Sequence, residues 1–178
     1  MVLVLAAGRG ERFAASGGAV QKLQALLVGK PVLQHTLDAV VASGLPHHVV
    51  QADPSQPGMG DSIAAGVRAT PAAAGWLILP GDLPLIQAAT LRQIAAALPG
   101  QRAVVPQYQG RPGHPVAFSA EMGFKLINLK GNQGAASVLL ACNAMQLIVT
   151  DIGCVTDIDT LQDLQAAELL YRERLGAA

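Results

Sequence analysis

The chain has 178 residues, 51% of them hydrophobic and only 3% aromatic, and its 12 Lys and Arg balance 12 Asp and Glu. That length suits one well-buried core and predicts a single domain over 1–178. With no net charge, no Lys/Arg run and little to stack on bases, the composition excludes a nucleic-acid or acidic-membrane surface and points to a small-molecule partner.

The opening apolar stretch stops at Gly8 and Arg9. It is too short to cross a membrane and lacks the basic start of a signal peptide, so a cytoplasmic location is expected. Strand-length apolar runs follow over 2–5, 49–52, 76–79, 103–105, 115–118 and 147–150. Several are continuous rather than alternating, as in strands covered on both faces. Helical periodicity lies between them, over 31–42, 62–69, 91–98 and 135–141. A last helix is predicted over 161–174, with Thr160 and Asp163 spaced as a capping box. Cys142 and Cys154 have neither CxxC spacing nor a nearby His cluster, so they read as idle thiols.

Strands alternating with helices imply right-handed crossovers and a doubly wound α/β fold with a mainly parallel sheet. In such a sheet ligands bind beyond the carboxyl ends of the strands, which directs attention to the loops over 6–22, 57–66, 80–84 and 155–159.

The first of these reads Leu5-Ala6-Ala7-Gly8-Arg9-Gly10-Glu11-Arg12-Phe13. Its small side chains let backbone N–H groups approach a ligand, and Arg12 can meet phosphate. A dinucleotide fingerprint fails because Phe13 stands where GxGxxG needs its last glycine, and no Walker A follows because Lys22 precedes Leu23. The second loop reaches Gly58-Met59-Gly60-Asp61-Ser62 at a helix start, where Gly60 permits close approach and Ser62 offers one hydrogen bond. In the third, Pro80-Gly81-Asp82-Leu83-Pro84 ends an apolar strand in a carboxylate suited to Mg²⁺, a hard cation that takes one or two carboxylates plus substrate phosphates. In the fourth, Asp157 and Asp159 share a face of an extended stretch, and either can reach the same ion. Asp157 is the choice, because Asp159 directly precedes the capping Thr160.

Leu5-Ala6-Ala7-Gly8, then Arg12-Phe13, then Lys22-Leu23 resembles the signature loop of the MobA-like nucleotidyltransferases. The resemblance implies a Rossmann-like fold of the nucleotide-diphospho-sugar transferase type. It also implies that the loop wraps a triphosphate held by Leu5, Ala6, Ala7 and Gly8, and that Lys22, with Arg12, stabilises charge at the phosphoryl centre. The segment with Gly60 and Ser62 is similar to the family's base-recognition segment, and Asp82 to its metal-binding aspartate, with Asp157 completing the metal pair. Here 14–21 form a longer, Gly/Ala-rich bridge to the lysine than the family usually shows.

Gly110-Arg111-Pro112-Gly113-His114-Pro115 narrows the resemblance to molybdenum cofactor cytidylyltransferases, where Gly-His-Pro lies by the acceptor. That implies Arg111 and His114 at the acceptor, and Ala6-Ala7 implies CTP rather than GTP. The implied reaction is transfer of CMP to the phosphate of molybdenum-molybdopterin, with a molybdenum hydroxylase as a further client. One departure stands out: Gly131-Asn132-Gln133-Gly134-Ala135-Ala136 occupies the place of Gly-Asp-x-Gly-Ala-Arg and loses an acid and a base near the expected acceptor pocket. The rival expectations are another phosphorylated acceptor, an oxidoreductase on the same fold, or a non-catalytic cofactor carrier.

Overall fold

A computed structural model describes all residues except 8, 9, 52, 54, 56, 57, 177 and 178. Its elements in chain order are β1 (Val2–Ala6), α1 (Glu11–Ala15), β2 (Leu26–Leu27), β3 (Lys30–Pro31), α2 (Val32–Ser43), β4 (His47–Gln51), α3 (Met59–Ala69), β5 (Gly75–Pro80), α4 (Ala88–Ala97), β6 (Ala103–Tyr108), β7 (Arg111–Pro112), β8 (Val116–Ser119), α5 (Gly123–Ile127), α6 (Ala136–Leu139), β9 (Met145–Ile148) and α7 (Leu161–Gly176).

Seven strands form the main sheet in the order β4-β1-β5-β8-β6-β7, with β9 paired to β6. β1 lies parallel to β4 and β5, β6 lies parallel to β9, and the antiparallel pairs are β5 with β8 and β6 with β8 and β7. The sheet is therefore mainly parallel, as the alternation of strands and helices implied, with β8 running against its neighbours. Burial on both faces explains the unbroken apolar runs: Val2, Leu3 and Val4 in β1 are all inaccessible to solvent.

Side chains alternate between two layers. Leu3, Leu5, Trp76 and Ile78 face a cluster with Ile63 and Val67 of α3 and Leu126 of α5, while Val2, Val4, Leu77 and Leu79 face Val40 of α2 and Leu91 and Ile94 of α4. A third cluster joins Phe13 of α1, Leu23, Leu27 and Ile158 to Ala167 of α7. Phe13 is thus a core anchor, which is the physical reason position 13 is not the glycine of a dinucleotide fingerprint.

Several elements differ from the periodicity reading. α3 begins at Met59, three residues before the predicted start, because Asp61 caps it. β9 ends at Ile148, and α6 is a single turn. α7 runs to Gly176 and opens with the expected capping box: Thr160 N–H donates to Asp163 Oδ2 at 2.7 Å, and Asp163 N–H donates to Thr160 Oγ1 at 3.2 Å. Among the described residues, no helix is long and apolar enough to cross a membrane.

Candidate active site

β1 and β5 are parallel neighbours at the centre of the sheet, and the backbone leaving each is pinned before it turns. Gly81 N–H donates to Leu5 O at 3.0 Å, Thr36 Oγ1 donates to Gly81 O at 3.1 Å, and Ile158 N–H donates to Asp82 O at 3.0 Å. Asp82 is therefore held between the β1 end and the segment carrying Asp157 and Asp159. The site does not depend on its side chain to hold the loop in place.

Lys22 enters from a turn of 3₁₀ helix (Lys22–Gln24) anchored by buried Leu23. Its ammonium donates to Asp82 Oδ2 at 2.7 Å and to Asp159 Oδ1 at 2.9 Å. The Lys22–Asp82 pair is well shielded, with side chains 10% and 15% exposed, while the Asp159 side chain is 30% exposed. Burial pulls the Lys22 pKa down, but the two carboxylates, Asp82 foremost, more than reverse it, so the group sits above the ordinary lysine value and stays charged. Arg12 reaches the other oxygen of Asp159 from α1; its side chain is 79% exposed, so that pair adds little to stability and is easily surrendered.

Asp82 Oδ1 is buried without a hydrogen-bond partner. A carboxylate oxygen accepts only, and leaving one dry and unpaired is costly, so the geometry suits a cation or a donor arriving with substrate. His114 presents the same deficit at Nδ1, while its backbone N–H is fixed by Cys154 O at 2.8 Å. Burial pushes the His114 pKa below the ordinary imidazole value, against the opposing pull of Asp82 and Asp157, which favours the neutral ring.

These groups open into one cleft of about 820 Å³, within the range of small-molecule sites. Leu5, Ala7, Arg12, Lys22, Ser62, Asp82, His114 and Asp157 line it, so residues expected from five separate segments converge. Asp159 lines it as well. Only its backbone N–H serves the helix start, donating to Asp163 Oδ2 at 3.1 Å, while its carboxylate turns to Lys22 and Arg12. The helix start therefore does not consume the Asp159 carboxylate, contrary to the expectation from its place before Thr160: Asp157 lines the cleft, and Asp159 is engaged by cations. The alternation of an i, i+2 pair held the signal for both.

Three expected residues stand elsewhere. Arg111 lies exposed on β7, paired to Tyr108, and is not among the residues lining the cleft, because the hairpin between β6 and β7 carries it outward. Gly60 packs its backbone on the loop over 130–133, its N–H donating to Gly131 O at 2.8 Å, so the close approach it permits is to protein. Ala6 ends β1 beside the cleft lining rather than in it. Gly8 lies outside the described residues. Asp61, which reads in the sequence as an ordinary helix cap, caps α3 and also lines the cleft.

Among the described residues, no group of three or more His, Cys, Asp or Glu converges to hold a metal alone. Asp82 and Asp157 both line the cleft, and the unpartnered Asp82 Oδ1 is the hard oxygen donor that a divalent cation takes alongside substrate oxygens.

A family model described as a MobA-like NTP transferase domain matches residues 2–146. The chain belongs to that family. Its fold is that of the nucleotidyl transferase Mth528 from Methanothermobacter thermautotroptrophicus, with a TM-score of 0.81 over 97% of each chain at 23% identity. Rv0371c from Mycobacterium tuberculosis H37Rv, in its complex with manganese, is similar at a TM-score of 0.71 and 23% identity, covering 93% of this chain and 95% of that one. Among curated proteins, the bifunctional protein GlmU of Leifsonia xyli subsp. xyli (strain CTCB07) is 32% identical over 120 residues, covering 54% of this chain. This MobA-like chain spans only 24% of that relative's length.

Proposed function

We propose that the protein transfers CMP from CTP to the phosphate of molybdenum-molybdopterin, releasing pyrophosphate. The observation that carries the nucleotidyl-transfer part is the meeting of Lys22 with Asp82 and Asp159 in a cleft beyond the ends of β1 and β5. CTP and the molybdopterin acceptor are supported by Leu5-Ala6-Ala7-Gly8 and by Gly113-His114-Pro115, which resemble the cytidylyltransferases.

In this reading the backbone at the end of β1, from Leu5 to Ala7, cradles the triphosphate, and Ser62 at the start of α3 faces the nucleoside. The acceptor phosphate oxygen attacks the α-phosphorus; that bond forms as the bond from the α-phosphorus to the bridging oxygen of the leaving pyrophosphate breaks. Lys22, already charged and ordered, stabilises the negative charge that builds there without reorganising. Arg12 exchanges its exposed contact with Asp159 for a phosphate oxygen. Neutral His114 offers a hydrogen bond to the acceptor, and no residue forms a covalent intermediate. Asp82 and Asp157 would hold Mg²⁺, which when bound would neutralise phosphate charge and align the reacting oxygens.

The test is incubation with α-³²P-labelled CTP, magnesium and molybdenum-loaded molybdopterin. Label recovered in a cytosine dinucleotide of the pterin supports the proposal. Label that remains wholly in CTP while a sugar or polyol phosphate becomes labelled in parallel reactions moves the assignment to that acceptor.

A further inference from the structure

The loop over 130–133 forms part of the cleft through Gly131 and Asn132, yet it lies seventy residues from the helix that holds it. Asp61 Oδ2 accepts from Gly131 N–H at 3.1 Å and from Gly58 N–H at 3.2 Å, and Gly60 N–H donates to Gly131 O at 2.8 Å. The approach leaves no room for side chains: a Cβ on Gly58 would stand 2.1 Å from Gly131 O, and one on Gly60 2.7 Å from Gln133 O. The loop also closes on itself, Lys130 N–H donating to Gln133 Oε1 at 3.0 Å and Gln133 N–H to Lys130 O at 3.1 Å. A capping carboxylate ordinarily serves its own helix. This one shares a single oxygen between its helix and a distant loop.

The charge pattern makes the arrangement informative. Lys22, Arg12 and the aspartates 82, 157 and 159 bring charge to the cleft, whereas Asn132 adds a neutral amide, which has one accepting oxygen and two donor hydrogens. Asn132 is exposed, and an exposed loop side chain would have to be ordered on ligand binding unless its backbone were already fixed. We infer that Asp61 is a positioning residue: it locks the 130–133 loop to α3 so that Asn132 reads a heterocycle edge presenting a donor beside an acceptor. A cytosine and a pterin share that chemistry. The inference rests on the nucleotidyl-transfer reading and adds the residue that sets its neutral recognition.

The experiment compares Asp61→Ala, Asp61→Asn and Gly58→Ala with the wild-type protein. Hydrogen exchange over 128–136 is measured without ligand, followed by dissociation constants for CTP, GTP and inorganic tripolyphosphate with Mn²⁺, and KM for molybdenum-loaded molybdopterin. Asp61→Ala and Gly58→Ala are expected to lose loop protection. They should weaken CTP, or raise the acceptor KM if the edge read belongs to the pterin, by about tenfold. Tripolyphosphate, which has no heterocycle, should bind within about twofold of wild type. Asp61→Asn should keep the wild-type values, because its amide oxygen accepts both N–H groups.

Unchanged protection in Asp61→Ala overturns the inference, and so does lost protection with every ligand constant unchanged. Equal damage in Asp61→Asn and Asp61→Ala also overturns it, because the carboxylate charge would then be the functional feature. Wild-type protein that binds tripolyphosphate but neither CTP nor GTP would defeat the nucleotidyl-transfer reading instead, and loop protection would still decide whether Asp61 clamps the loop.

Discussion

Lys22 and Asp82, sixty residues apart in the chain, meet at 2.7 Å inside the cleft, and the second Asp82 oxygen is left buried without a partner. Asp82 is thus half neutralised by the protein's own cation and half available. In the proposed reaction a triphosphate would give Lys22 further oxygens to face, and the open side of the carboxylate would serve to hold a divalent ion.

Asp82→Asn keeps the volume and removes the charge. Because backbone contacts hold the Asp82 segment, circular dichroism should stay native, while turnover should fall about 10² to 10³-fold, the scale on which preorganised electrostatic groups act. Near-wild-type turnover would remove Asp82 from the mechanism.

The two aspartates downstream are expected to separate in a metal assay. Nucleotide-dependent binding of Mn²⁺, followed by electron paramagnetic resonance, should weaken at least about tenfold in Asp157→Asn. In Asp159→Asn, whose native carboxylate is engaged by Lys22 and Arg12, it should hold. The opposite ranking would assign the metal to Asp159.

Lys22 has a folded-state pKa raised above its ordinary value of 10.5, so its contribution to stability is complete below that pH and is lost as pH rises through the folded value. Thermal melts of wild type and Lys22→Met should therefore converge above about pH 10.5 after running apart at neutral pH. A constant gap across that window would show that Lys22 is not stabilised by its carboxylates.

His114 shifts in the other direction, with its folded pKa below 6.5. Stability from keeping it neutral is present above pH 6.5 and is lost as pH falls through the folded value, where the unfolded chain binds the proton first. An NMR titration should find the His114 ring neutral at pH 7 with its midpoint on the acid side of 6.5. A midpoint above 6.5 would assign it a charged role.

Much of the sheet was legible because strands buried on both faces read as continuous apolar runs, as 76–79 do within β5. Strand direction was not: 115–118 reads alike whichever way it runs, and only pairing shows β8 to be antiparallel. α1 and α5 escaped because five residues carry too little period to register. At the site, Lys22, Asp82 and His114 stood out by local chemistry and sit together in the cleft. Asp61 did not, because its carboxylate looks like an ordinary cap until Gly131, seventy residues later, is seen to share it. Arg111 stands out in the sequence by a charge that suits a phosphate, and its exposed position after the turn at Gln109 and Gly110 shows only in the structure.

The most direct test is pyrophosphate release from CTP, and separately from GTP, with magnesium and freshly prepared molybdenum-loaded molybdopterin, in wild type and in Asp82→Asn. Release from CTP by wild type, with little from GTP and little from the variant, is the predicted result. Silence with both nucleotides, or equal release by Asp82→Asn, would contradict the account.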